Sequence, residues 1–320
     1  MSIAQDHNMQ SLIQDGIKII AYKPNVETKE GQYKAINRPW KGFTPLSEDV
    51  RIEPDLNYAI RWDSEPAKFV DIDLDCDVAK SEWQHRFTPR ATFGREGEGH
   101  LLQEISDPII FGKHVIAFGK DKGDTLIEMR GNDVYSVAYG KLDESDQSAH
   151  ILSMKPNRAM TYYDTKRQVY EVGLIAQIVS GYAAPMNDYL IPIVGEMCFQ
   201  NFDIEYTMSI IERVHAHVGR SERWSESKKT IKSIYKKDKP SGLNTEGAYS
   251  LNWEHGETKK QLMLDVMKFL SPKQQEIEAN ETKKEFKPIE TFALGTIMKT
   301  EYPPVKEIIK DLMTPGLFYF

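Results

Sequence analysis

The chain has 320 residues, of which 40% are hydrophobic and 28% charged, with a formal net charge of −7. That composition suits a soluble globular protein with room for two domains, and no apolar run approaches the roughly 20 residues that span a bilayer. The acidic balance excludes blanket affinity for nucleic acid but not a local basic groove. Two distant cysteines, Cys76 and Cys198, form neither a zinc spacing nor a disulfide framework. They point to a reducing, cytoplasmic setting, and the N-terminal segment has no secretory pattern.

In chain order, residues 8–22 read as a short helix, a break at Gly16 and a strand over Ile17–Ala21. Residues 23–47 read as a loop with Trp40 as an anchor. Tyr58–Trp62 is a weak strand, ended by Ser64-Glu65-Pro66. A strong strand follows at 68–74, then a short helix over Val78–His85 and a glycine-bearing turn over Thr92–Gly99. Strands are expected at His100–Ile105, at His114–Phe118 and from Leu126 to Met129, the last two as a hairpin around Asp121–Asp124. Tyr135–Tyr139 closes the series. From about residue 165 the pattern turns helical: Val169–Ser180, Asp188–Gln200, Ile204–Val218, a basic stretch over Arg220–Lys237, and Leu262–Leu270. Polar residues 271–300 read as a linker, and residues 301–320 as a short helix, a Pro315-Gly316 turn and an apolar end.

The chemistry starts from Phe69-Val70-Asp71-Ile72-Asp73-Leu74-Asp75. On a strand, the three carboxylates share one face and Val70, Ile72 and Leu74 the other. Aligning three anions costs free energy unless cations sit among them, and divalent metal is the obvious remedy. Glu128, in a second strand-like stretch, supplies a further carboxylate. An Asp-x-Asp pair and a lone acid from another strand can converge on two metal ions, the arrangement that clamps an in-line phosphoryl displacement. Between them lies Gly94-Arg95-Glu96-Gly97-Glu98-Gly99-His100, where glycines permit close backbone approach and Arg95 and His100 can meet phosphate. The rival reading of Asp71–Glu82 as a calcium loop fails on Cys76 at the glycine position and on Ile72 and Leu74 between the acids. Asp75 reads as exposed or supporting, and His85 and His114 as structural.

These elements, Val70-Asp71-Ile72-Asp73, Glu98-Gly99-His100 and Ile127-Glu128, resemble the three motifs of the archaeo-eukaryotic primase superfamily, in particular the primase-polymerase domains of bacterial viruses, plasmids and mobile elements. The resemblance implies an α+β catalytic domain over residues 1–160, with an RRM-like sheet beside a second αβ unit and the active site in the cleft between. It implies Asp71, Asp73 and Glu128 as ligands of two Mg²⁺ or Mn²⁺ ions, without zinc, and Arg95, His100 and Arg130 as nucleotide contacts. The expected reaction is template-directed nucleotidyl transfer, with single-stranded DNA template, primer and nucleoside triphosphates as partners. The stretches Tyr182–Phe199, Glu212–Tyr235 and Gly242–Leu251 resemble the helical domain that follows such catalytic domains, here 165–270. There Trp224, Lys228, Lys229 and Lys232 are candidate nucleic-acid contacts. The end of the chain resembles the lead-in to a P-loop ATPase, so a helicase domain in cis is expected. Two other readings stay open: a non-catalytic DNA-binding module for replication initiation, and another metal-dependent nucleotidyltransferase.

Overall fold

The computed structural model describes residues 3–23, 44–47, 53, 55–62, 66–94, 99–132, 134–141, 148–154, 158–182, 186–238, 240–243 and 256–272. The expected Trp40 anchor, the linker and the terminal segment lie outside these residues. The described chain is mixed α and β. Its helices are α1 (Ile3–Gln14), α2 (Asp77–Glu82), α3 (Tyr162–Ser180), α4 (Met186–Phe199), α5 (Ile204–His217), α6 (Trp224–Tyr235) and α7 (Gly256–Leu270). Its strands are β1 (Ile19–Tyr22), β2 (Asn57–Trp62), β3 (Ala67–Leu74), β4 (Ala91–Gly94), β5 (Gly99–Ile109), β6 (Lys113–Ala117), β7 (Thr125–Arg130), β8 (Val134–Lys141) and β9 (Ser148–Met154). None of the described helices is long and apolar enough to cross a membrane.

The strands are hydrogen-bonded in the order β1-β2-β8-β9-β4-β5-β3-β7-β6, with every pairing antiparallel. Two apolar cores flank them. Val70, Ile72 and Leu74 of β3, Leu101 and Ile105 of β5, and Ile127 and Met129 of β7 join one core with the helices. Phe69, Phe93 and Leu102 join the other with Met9 and Leu12 of α1, Tyr58 and Ile60 of β2 and Ala138 of β8. The period of two along β3 therefore assigns alternate residues to different cores. Both faces of this strand are buried from Phe69 to Leu74.

Helix α3 seats the helical part on the sheet. Thr161 caps it by accepting from the Asp164 amide, with Asp164 in the first turn favoured by the helix dipole. The expected start at Val169 is thus too late: apolar periodicity begins only where the helix turns inward, and the cap stands eight residues upstream. At Gly173 a Cβ would lie 2.6 Å from Ile116, so glycine allows α3 to press against β6. Val169, Val172 and Ile175 share one core with the sheet and with Ile211, Ile231 and Met267 of α5, α6 and α7. The change of character near residue 165 is consequently a change of secondary structure and not a break in packing, and Met1–Ile277 is one compact unit.

Two further expectations are corrected. Thr92–Gly94, read as the opening of a turn, belongs to β4, which pairs with both β5 and β9. Tyr135–Tyr139 does not close the strand series, because β9 follows. Asp71–Leu74 is strand throughout and α2 begins at Asp77, which leaves no room for a calcium loop.

Candidate metal centre

Register brings the chemistry together. Asp73 lies opposite His100 of β5 on one side and opposite Glu128 of β7 on the other, while Asp71 lies opposite Arg130. Directly opposed residues share a face. All five side chains thus converge on the face of β3 that also carries Phe69.

The cations that the aligned acids require are supplied first by the protein. His100 places Nδ1 3.0 Å from Asp71 and Nε2 3.6 Å from Asp73. Its ring stacks on Phe93, with centroids 4.8 Å apart and planes 9° from parallel, so β4 fixes the plane in which both nitrogens face carboxylates. Arg130 donates from Nε to Glu128 at 2.8 Å, has Nη2 2.8 Å from the same carboxylate, donates from Nη2 to Asp73, and has Nη1 3.7 Å from Asp71. Lys113 of β6 pairs with Glu128. The Ser136 hydroxyl of β8 donates to Asp71 and accepts from the Trp62 indole at 3.3 Å. Since β8 and β3 stand apart in the strand order, this bond shows that the sheet curls toward itself over the second core.

Electrostatics separate the acids. Burial alone would raise the Asp71 carboxyl, but His100, Arg130 and Ser136 outweigh it and hold the group below its ordinary value. Asp73 moves the other way: burial raises it, His100 and Arg130 offset only part, and Asp71 and Glu128 add repulsion. Asp75 is pushed up to about 6 by burial, then by Asp73 and Glu128. His100 is raised because Asp71 and Asp73 outweigh the opposing effect of burial.

Ligand oxygens of Asp73, Asp75 and Glu128 all lie within 4.8 Å of one another. This set differs from the expected one. Asp75, set aside in the sequence, joins because its amide donates to the Leu126 carbonyl at 3.2 Å, keeping the chain alongside β7 beyond the end of β3. Asp71 is fully enclosed between His100, Ser136 and Arg130. The donor set is all oxygen, as hard divalent cations prefer. Asp73 and Asp75, raised by burial and then by neighbouring acids that His100 and Arg130 only partly offset, carry the charge that such an ion would neutralise. Beside it opens a cavity of about 620 Å³ lined by Lys113, Lys120, Thr125 and Arg130 together with Asp75 and Glu128. Lys113 and Lys120 carried no signal in the sequence, and they come to the acids only through the β6–β7 hairpin.

Of the other expected residues, Arg95 lies outside the described residues. Lys228, Lys229 and Lys232 are exposed on α6, whose Ser227, Ile231 and Ile234 face the core. The aromatics among them are half-buried and make contacts within the helical part. Trp224 is half-buried, edge-on to His215 at 5.8 Å, and the Tyr235 hydroxyl lies 2.6 Å from that of Thr207 and donates to the Phe202 carbonyl. The helical period that buries Ile231 and Ile234 turns them inward as well. Compared with models of known protein families the chain matches none, and no curated protein matches it.

Proposed function

We propose that the chain catalyses template-directed nucleotidyl transfer of the primase-polymerase type, supported by divalent metal. The observation that carries this reading is the convergence, by strand register, of Asp71, Asp73, Glu128, His100 and Arg130 on one face beside a cavity lined by basic residues. Asp73, Asp75 and Glu128 would hold Mg²⁺ or Mn²⁺. A bound ion of this kind supplies a lowered pKa for the attacking hydroxyl and charge neutralisation at phosphoryl oxygen.

The chain's own residues do the rest. Ser136, His100 and Arg130 keep Asp71 anionic, so its charge fixes the orientation of the imidazole and the guanidinium. Lys113, Lys120 and Arg130 line the space where a triphosphate's charge can be met. Arg130 serves the carboxylates before it serves a nucleotide, so it acts in both sets. The exposed lysines of α6 suit backbone phosphates of a template strand. A helicase domain in cis and a place in replication of a virus, plasmid or mobile element belong to the same reading.

The test is incorporation of each nucleotide pool on single-stranded template, with and without primer, in Mg²⁺ or Mn²⁺. The expected result is template-dependent incorporation that disappears when Asp71 and Asp73 are both changed to Ala. Full activity in that double variant would end the assignment. Metal binding without incorporation on any template would favour the non-catalytic DNA-binding module instead.

A further inference from the structure

A second charged cluster lies where α2 meets α3 and α5. Its centre is Glu82, the last residue of α2 and fully buried. Arg213 of α5 donates to it from Nε at 2.9 and 3.1 Å and lies 2.9 Å away through Nη2. His217 Nε2 lies 2.7 Å from the same carboxylate, and Arg86 donates to it from Nε at 3.4 Å. Arg86 also reaches α3, donating from Nη1 to Gln168 at 3.0 Å and to Glu171. The Tyr206 hydroxyl donates to the other oxygen of Glu171 at 3.1 Å. Burial would raise Glu82, but hydrogen bonds from Arg213 and His217, with the charges of Arg213 and Arg86, hold it below its ordinary value and anionic.

Each guanidinium is thus pinned along one edge. Arg86 Nη2 and Arg213 Nη1 have no acceptor among the described residues, and neither does the amide nitrogen of Gln168. These three residues, with His85, Ser209 and Glu212, line a cavity of about 400 Å³. A pair of forks with spare N–H donors, beside an amide, is the geometry that planar or tetrahedral oxyanions match. Glu212 is the one carboxylate of the lining, and it stands exposed.

We propose that this cavity binds a phosphate group, pre-organised by Glu82, and that it is a site separate from the acidic cluster on β3. Arg86 and Arg213 supply guanidinium donors and Gln168 its amide, while the Ser209 hydroxyl, which donates to the Tyr206 carbonyl at 2.7 Å, closes the wall. The phosphate can come from a nucleic-acid backbone, a strand terminus or a free nucleotide. The site does not depend on the nucleotidyl-transfer reading, because none of its residues belongs to the metal centre.

Binding of inorganic phosphate to the full chain, followed by calorimetry, tests it, with the Asp71→Ala/Asp73→Ala protein in parallel. Both proteins are expected to bind. Gln168→Leu is expected to weaken binding by roughly tenfold, the size of one hydrogen bond to a charged group. Arg213→Lys keeps the charge beside Glu82 but loses the fork, and is expected to weaken it similarly, with an unchanged melting curve as the control for folding. Single-stranded oligonucleotides with and without a 5′-phosphate, and a nucleoside triphosphate, are then competed against inorganic phosphate. Displacement by any of them supports the site and names its source. No phosphate binding by the unaltered chain, or equal binding in both cavity variants, overturns it.

Discussion

Two regions of the molecule bury carboxylates, and they balance them in opposite ways. Around Glu82, one fully enclosed acid meets Arg86, Arg213 and His217, and Arg86 is shared with Glu171, so each acid has a basic partner. Around Asp73, four acids meet Arg130, His100 and Lys113, and the nearest three crowd within 4.8 Å. The Glu82 carboxyl is pushed down and those of Asp73 and Asp75 up. A buried pair with its charge answered adds little net stability but is costly to break. A cluster in which acids outnumber their cationic partners is one that a divalent cation could neutralise. The two regions therefore differ in how far their acids are answered: Glu82 is held anionic by its partners, whereas Asp73 and Asp75 are raised by burial and by their acidic neighbours.

The sharpest break comes at the acidic cluster. Asp71→Ala with Asp73→Ala should lower incorporation to background, roughly a thousandfold or more, since several kcal/mol of transition-state stabilisation go with the metal. A primer-extension time course measures it. Next, Glu82→Leu should cost about 3 kcal/mol, because the largely buried Arg86 and the part-exposed Arg213 and His217 lose the acid they share. Urea unfolding reads this, and the loss should exceed that of Asp75→Asn, whose removal relieves repulsion. The contrast extends to pH. Glu82 has a lowered folded value, so its contribution is present above its ordinary value of 4.5 and is lost as pH falls through the folded one.

A smaller effect separates bound from free metal. At a hundred times its dissociation constant, Mn²⁺ should add about 2.7 kcal/mol to stability, and chelation should remove it. Glu128→Gln should abolish the increment, whereas Glu82→Gln should leave it intact. Smallest is an effect at His114, which lies in neither cluster and contacts the Tyr162 hydroxyl at 2.6 Å. Burial, and then the charge of Lys166, push its imidazole down to about 4. The folded state therefore favours neutral His114: that stability is full above about 6.5 and is lost as pH falls toward 4. His114→Gln should flatten the acid limb of a stability–pH curve across that window.

Much of this was readable in the chain. Alternation at Phe69–Leu74 marks β3 and its two faces, and the apolar neighbours of Glu128 mark β7. What spacing cannot supply is register. That Asp73 faces both His100 and Glu128 follows from pairings between strands far apart in sequence, and so does the arrival of Lys113. Asp75 is exposed, as its place suggested, and what spacing could not show is that its bond to Leu126 beyond the last strand residue brings it beside Asp73 and Glu128. β9 lacks a signal of comparable strength in SAHILSM. Trp224 and Tyr235 look like stacking platforms beside lysines, and only packing reveals their contacts with His215 and Thr207. The Glu82 network was illegible altogether, because an acid on one helix and an arginine 131 positions later carry no local pattern.

The shared core also bears on how such a chain can change over evolutionary time. Val70, Ile72 and Leu74 alternate with the acids and interlock with α3, and through it with α5 to α7. An exchange that replaced the helices alone would set a foreign surface against the back of the strand that carries the chemistry. A change of volume at Val172 or Ile211 is therefore felt by residues one step from Asp71 and Asp73.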